Sequence, residues 1–190
     1  MSFVVGFLKW LAYLIVGLVL VVAVFVFGAR FADGPYGIVP GGQFATGERH
    51  SGPEPDWTFV KDRQEVEFQL MDPARSRTTW ILEHEGRIYI PCGYMTSTWG
   101  RLWKQWPIEA EQDGRAVLRV DGVLYDRQLV RIRQGGQLPM LLSELGRKYL
   151  FVTGGAAGMS AEDRGVALAA GLQQIEDGSL WIFELAPTSV

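Results

Sequence analysis

Hydrophobic and polar positions follow two different rules along this chain. Residues 10–27 read WLAYLIVGLVLVVAVFVF, eighteen positions without a charge and without any polar face. A helix that is apolar all round is enclosed by protein or by lipid, and at about 1.5 Å per residue this one spans roughly 27 Å, close to a bilayer's hydrocarbon thickness. Residues 3–8 extend it backwards if Lys9 snorkels towards headgroups. The expectation is a transmembrane anchor over residues 3–30, flanked by Trp10 and Tyr13 at one end and by Phe25, Phe27 and Phe31 at the other. A cleaved signal peptide is the competing reading. Its apolar region is shorter and ends at a small-x-small site, for which Val26-Phe27-Gly28 is a poor substitute.

From residue 56 onward the pattern changes to short runs between turn dipeptides. Residues 65–71 alternate, with Val66, Phe68 and Leu70 on one face and Glu65, Glu67 and Gln69 on the other, which predicts a half-buried strand. Residues 78–84 and 87–92 flank Glu85-Gly86 and predict a hairpin. Residues 116–120 and 123–132 flank Asp121-Gly122, a stronger hairpin signal because Asp-Gly suits a turn with φ > 0 at both central positions. Residues 179–185 (SLWIFEL) predict a last strand after the turn Asp177-Gly178.

Helices are expected in the gaps. Residues 100–106 predict a short helix ended by Pro107. Residues 138–150 place Leu138, Leu141, Leu142, Leu145 and Tyr149 on one stripe, with Pro139 tolerated in the first turn. Residues 160–163 (SAED) predict a capping box opening a helix to about residue 175. The fold class that follows is α+β: a single N-terminal transmembrane helix, then a small antiparallel split-barrel-like domain with inserted helices over residues 57–190. Residues 31–56, rich in Gly and Pro, are expected to be a linker or an arm; Tyr36, Ile38, Val39 and Phe44 supply apolar groups that would pack such an arm onto the domain.

Composition adds limits. With 18 basic and 21 acidic residues the net charge is −3, which carries no polyelectrolyte signature, so a nucleic-acid partner is not expected. Cys92 is the only cysteine, so no intramolecular disulfide forms, and His50 and His84 stand apart without a metal-ligand pattern. Lys9 and the α-amine against Arg30 and Asp33 favour N-terminus in and domain out by one charge.

Candidate chemistry concentrates in residues 75–107, RSRTTWILEHEGRIYIPCGYMTSTWGRLWKQWP: a strand, a Gly turn, a second strand, a polar loop, then a basic and aromatic segment. This layout resembles the split β-barrel superfamily that binds FMN or the deazaflavin cofactor, the pyridoxamine-phosphate-oxidase-like proteins, over about residues 57–133. The resemblance implies that Arg75, Arg77, Thr78 and Thr79, with Thr96, Ser97, Arg101 and Lys104, hold the phosphate and ring of a flavin-type cofactor. In physical terms a dianionic phosphate needs Arg forks and hydroxyl donors converging on one spot. Trp99, Trp103 and Trp106, spaced at i, i+4 and i+7, offer either a wall for the ring, a cover for the barrel mouth, or an aromatic face on the lipid interface.

Weaker motifs complete the inventory. Residues 154–158 (GGAAG) precede a helix start, yet lack the glycine spacing of a dinucleotide or P-loop motif. Arg115, Arg119, Arg127, Arg131 and Arg133 along the Asp121-Gly122 hairpin are expected to pair with Glu or Asp neighbours, or to face an anionic partner. The expected function is a membrane-tethered flavin-type binding protein or oxidoreductase. The alternative is a non-catalytic, membrane-anchored binding or assembly module of the cell envelope, with a protein partner or a second copy of the chain.

Overall fold

The computed structural model describes residues 2–97, 100, 104–150 and 160–188. Helix α1 (Ser2–Ala29) is one unbroken element whose positions 3–28 are all exposed, while Ala29 is buried. It is long and apolar enough to cross a membrane.

The domain is a curled antiparallel sheet. Its strands are β1 (Glu48–Arg49), β2 (Glu65–Met71), β3 (Ala74–Trp80), β4 (Leu82–His84), β5 (Arg87–Cys92), β6 (Arg115–Val120), β7 (Val123–Ile132) and β8 (Trp181–Pro187). They hydrogen-bond in the order β3-β2-β6-β7-β8-β5-β4, with β1 parallel to the start of β7. The two ends of that path, β3 and β4, are consecutive in the chain and separated by Ile81 alone. One extended stretch therefore leaves one sheet edge and joins the other, curling the sheet into a split-barrel-like half-barrel. Inside lie the fully buried Phe68, Leu70, Ile90, Leu118 and Phe183. Each such side chain contributes about 1.5–3 kcal/mol on burial.

The interior is plugged by helix α2 (Trp106–Gln112), whose Trp106 meets Phe68 edge-on at 4.9 Å and Phe183 at 5.5 Å. Of the helix expected over residues 100–106, residues 101–103 lie outside the described residues, Gly100 is helical, and residues 104 and 105 are not. Pro107 instead occupies the first turn of a helix on its C-terminal side, where its missing N–H costs nothing. The expected strand 78–84 is likewise two strands, because Ile81 turns the chain from β3 to β4.

Both dipeptide hairpins form as the sequence predicts, with positive φ at Glu85 and Gly86 (52° and 73°) and at Asp121 and Gly122 (50° and 79°). Helix α3 (Leu138–Leu145) continues into a π-turn, Gly146–Leu150, and helix α4 (Ala161–Glu176) starts at a complete Ser160–Asp163 capping box. Together they bury Leu141, Leu142, Tyr149 and Ile175 against the outer side of β4, β5 and β8, where Leu82, Tyr89 and Ile182 complete a second core.

The π-turn closes the Ile81 corner. A chain leaving one edge for another exposes backbone polar groups that need partners. The Tyr149 hydroxyl accepts from the Ile81 N–H (2.8 Å) and donates to the Gln64 carbonyl (2.6 Å). Lys148, only 3% exposed, donates to the carbonyls of Ile81 (2.7 Å) and Val60 (3.1 Å). Trp80 stacks flat on the Tyr149 ring at 4.1 Å.

Candidate functional site

Strand register sorts the expected cofactor residues onto two faces. Arg75, Arg77 and Thr79 pair with Leu70, Phe68 and Val66, so they share the inner face of β3. Thr78 pairs with Glu67 and lies on the outer face with Ser76. The Arg77 guanidinium, lined up beside the barrel plug, donates to the Glu109 carboxylate of α2 and to the Arg75 carbonyl, each at 3.3 Å. Burial draws the Arg77 pKa down, opposed by Glu109. A phosphate at this point meets Glu109 as well as Arg77 and has to displace it, so the donor set as it stands fits a dianion only in part.

The remaining expected residues follow β5. Lys104 donates to the Gly93 carbonyl at 3.1 Å and stands over the Tyr94 ring. Ser97 donates to the Tyr94 carbonyl at 2.8 Å and accepts from the Gly100 N–H, while Thr96 is exposed. Arg101, Trp99, Trp103 and residues 154–158 lie outside the described residues. Trp106 serves the barrel core, against Phe68 and Phe183. Arg77 and Lys104 thus flank α2 from its middle and from just ahead of its start, each with a partner of its own.

Cys92 is buried with its thiol 3.6 Å from the Met95 sulfur, and burial pushes its pKa up to about 11. It is a packing group and not a nucleophile at neutral pH. The hairpin arginines meet acids in turn: Arg115 with Asp113, Arg119 with Glu67 and Asp33, Arg127 with Glu54, and Arg131 and Arg133 with Glu111. Of these hairpin pairs, Arg119–Glu67 is the one that joins two adjacent strands of the sheet.

A further set of specific contacts lies where α1 meets the barrel, within the segment expected to be a linker or an arm; of the four apolar groups expected to pack it, Phe44 is buried, while Tyr36 and Ile38 are exposed. We refer to residues 30–46 as the neck. Gly41 and Gly42 add to the free edge of β3: the Gly41 N–H donates to the Ser76 carbonyl (3.0 Å), and the Ser76 N–H and hydroxyl donate to the Gly42 carbonyl (3.2 and 2.6 Å). The Gly42 N–H also reaches the Ala32 carbonyl at 3.0 Å. A Cβ at Gly41 would lie 1.8 Å from the Gly34 carbonyl oxygen, and one at Gly42 would lie 2.4 Å from that of Arg30. Backbones approach here as only glycine permits.

Onward, the neck crosses the outer face of β2, β6 and β7. Phe44 packs on Val117 and Leu124 in a small outer core, under the Arg119 guanidinium at 4.1 Å. The Phe44 N–H donates to the buried Gln69 side chain at 2.6 Å. Asp33 ties the near end down: its carboxylate accepts from the Thr46 hydroxyl, the Ala45 N–H (2.8 Å) and Arg119 (2.9 Å). Those donors, Thr46 foremost, hold the Asp33 pKa at about 2. A polar cavity of about 430 Å³ beside it is lined by Arg63, Glu67, Arg119 and Asp121, in which Arg63 meets Asp121 and Arg119 meets Glu67. The legible signal was β6 itself, where Ala116, Val117 and Leu118 are apolar in succession and so need cover on both faces.

What fold and contacts define is an α+β chain, a long apolar helix followed by a split-barrel-like half-barrel. No protein-family model and no curated protein matches the chain in sequence. Among solved structures, it is similar to the conserved hypothetical protein Rv2991 from Mycobacterium tuberculosis, at 9% identity over 77% of this chain and 86% of that one, with a TM-score of 0.48.

Proposed function

We propose that this protein is a membrane-tethered binding module: α1 spans a bilayer, and the neck presents the half-barrel in a set direction at the membrane surface. The observation that carries the reading is the neck. A loose tether is enough to localise a domain, and Gly/Pro-rich segments supply one readily. Here the segment is fastened through Gly41, Gly42, Phe44 and Asp33 to four strands, β2, β3, β6 and β7. A defined direction serves recognition of a partner lying in or along the same membrane. Charge around α1 favours the N-terminus inside and the domain outside. Alkaline extraction of membranes carrying the full chain tests the tether: the chain is expected to stay with the lipid, and release into the supernatant would overturn the reading. Protease added to sealed vesicles then reports the side on which the domain lies.

Flavin-type cofactor binding is the second reading, favoured by the placement of Arg75, Arg77 and Thr79 together on the inner face of β3 beside α2. In that case the cofactor supplies the electron chemistry and the protein supplies position and charge. Titrating the full chain in detergent with FMN and with a deazaflavin separates the two. Saturable binding that disappears in an Arg77→Ala, Lys104→Ala double variant would favour a cofactor protein. A folded chain that binds neither leaves the non-catalytic module.

A further inference from the structure

We propose that residues 34–40 (GPYGIVP) form a second membrane contact, a short apolar hairpin that enters the lipid interface beside α1. The proposal rests on the reading of α1 as a membrane span. Three observations lead to it.

The first is depth. The Tyr36 ring lies 5.9 Å from the Phe25 ring. Phe25 is four residues before the end of α1, roughly 6 Å down the helix axis, and helical side chains lean towards the N-terminus, so its ring sits lower still. After leaving the helix at Ala29 the chain therefore turns back along it before climbing to the barrel. Tyr36 and Val39 exchange both backbone hydrogen bonds at 3.0 Å, making a tight hairpin with Gly37 at φ 57°.

The second is chemistry. Positions 34–47 hold no charged residue. At and around the tip, Ile38 is 84% exposed, Phe31 78% and Tyr36 57%. Phe31 also meets Phe27 at 5.5 Å, so the apolar surface of the hairpin continues that of the helix. A tyrosine among aliphatic groups suits the boundary between acyl chains and headgroups, where one end of the side chain is apolar and the other wet.

The third is mechanical. Asp33 holds the hairpin's entry to Thr46 and Arg119, and Gly41 holds its exit to Ser76. The loop is fixed to the barrel at both ends, with Tyr36 set against Phe25 of α1 and Ile38 exposed. Lipid is the occupant consistent with these facts, because the surface is continuous with a helix whose own surroundings are lipid. Helix and hairpin then make two contacts with the membrane plane, and two contacts set a tilt that one helix leaves free.

The test uses the full chain in phosphatidylcholine vesicles with a thiol-reactive, environment-sensitive fluorophore on Ile38→Cys, and separately on Leu18→Cys and Glu162→Cys. Ile38 is a solvent-facing tip position, so its replacement spares the fold, and the parent chain treated with the same reagent checks that buried Cys92 stays unreacted. Lipids carrying a doxyl group near the headgroup end of the acyl chain serve as quencher. The expected result is strong quenching at position 38, quenching at position 18 that strengthens with a deeper doxyl group, and none at position 162. Quenching at 18 without quenching at 38 overturns the hairpin contact and leaves the tether standing. No quenching at either overturns both. A blue-shifted label at 38 that doxyl lipid does not quench means that protein covers the hairpin, and it too overturns the proposal.

Discussion

The neck and the Ile81 corner are both places where sheet pairing runs out, and they solve the same problem with different materials. At the corner, the unpaired backbone groups of Ile81 are met by two side chains, Lys148 and Tyr149, inside the protein. At the neck, the free edge of β3 is met by backbone, Gly41 and Gly42, with a partly exposed ion pair and one aromatic ring as fastening. Buried side-chain partners are costly to remove because the groups they leave behind cannot reach water. Exposed pairs are cheap to remove. The corner should therefore govern stability of the half-barrel, and the neck should govern its direction.

The largest effect is expected at the corner. Tyr149→Ala removes a buried ring and both hydrogen bonds, and should cost about 3–5 kcal/mol of domain stability, in line with other large aromatic truncations. Tyr149→Phe keeps the stack on Trp80 and should cost about 1–3 kcal/mol, the penalty for a buried group left unpaired. Denaturant unfolding of the full chain in micelles, followed by tryptophan fluorescence, gives both values. If both variants unfold like the parent, the corner does not govern the stability of the half-barrel.

At the neck, Gly41→Ala sets a Cβ against the Gly34 carbonyl. We expect a loss of about 1–3 kcal/mol, the usual range for overpacking. The loss should be local: amide exchange should rise at Gly41 and Ser76 while the Ile81 amide keeps its protection. Uniform acceleration across the barrel would mean that neck and barrel unfold as one unit.

Titration separates the two joints further. Burial lowers the Lys148 pKa to about 8, against the pull of Glu144, Asp62 and Glu83 and helped by Arg147. The folded state then binds fewer protons than the unfolded one between pH ~8 and ~10.4, so this lysine makes stability rise with pH across that window. Tyr149 opposes it above pH ~10, since burial raises its pKa and the folded state keeps a proton the unfolded state loses. Lys148→Met should abolish the rise between pH 8 and 10. Asp33 acts at the other end: its carboxylate is held at about 2, and the stability it confers is lost as pH falls from 3.8 through that value. Asp33→Asn should be the mildest change, within about 1 kcal/mol at neutral pH, because the pair is partly exposed and screened.

Much of this architecture was legible in the sequence for reasons that are local. Glu85-Gly86 and Asp121-Gly122 announce their turns because positive φ at two successive positions demands such residues. Ser160 and Asp163 announce their helix because its first N–H groups need acceptors. What was hidden depends on partners far along the chain. Ile81 reads as the middle of a strand, since nothing in residues 78–84 reveals that Lys148 and Tyr149 wait to receive its backbone. Gly41 and Gly42 read as looseness, although here glycine is the condition for tight backbone contact with Ser76. The candidate cofactor residues were placed by resemblance, and register then divided them: Thr78 faces outward, whereas Arg75, Arg77 and Thr79 face inward. That Arg77 would be held by Glu109 depends on α2 folding back into the barrel, which no short pattern in residues 104–112 states.

The central claim is that helix and half-barrel form one directed unit. Spin labels at Phe27→Cys on α1 and Gln173→Cys on α4, both exposed positions, test it by pulsed distance measurement on the full chain in lipid nanodiscs. A single narrow distance distribution, broadened by Gly41→Ala, is the result the account predicts. A broad distribution in the parent chain, unchanged by that substitution, would contradict it and return residues 31–56 to the role of a slack linker.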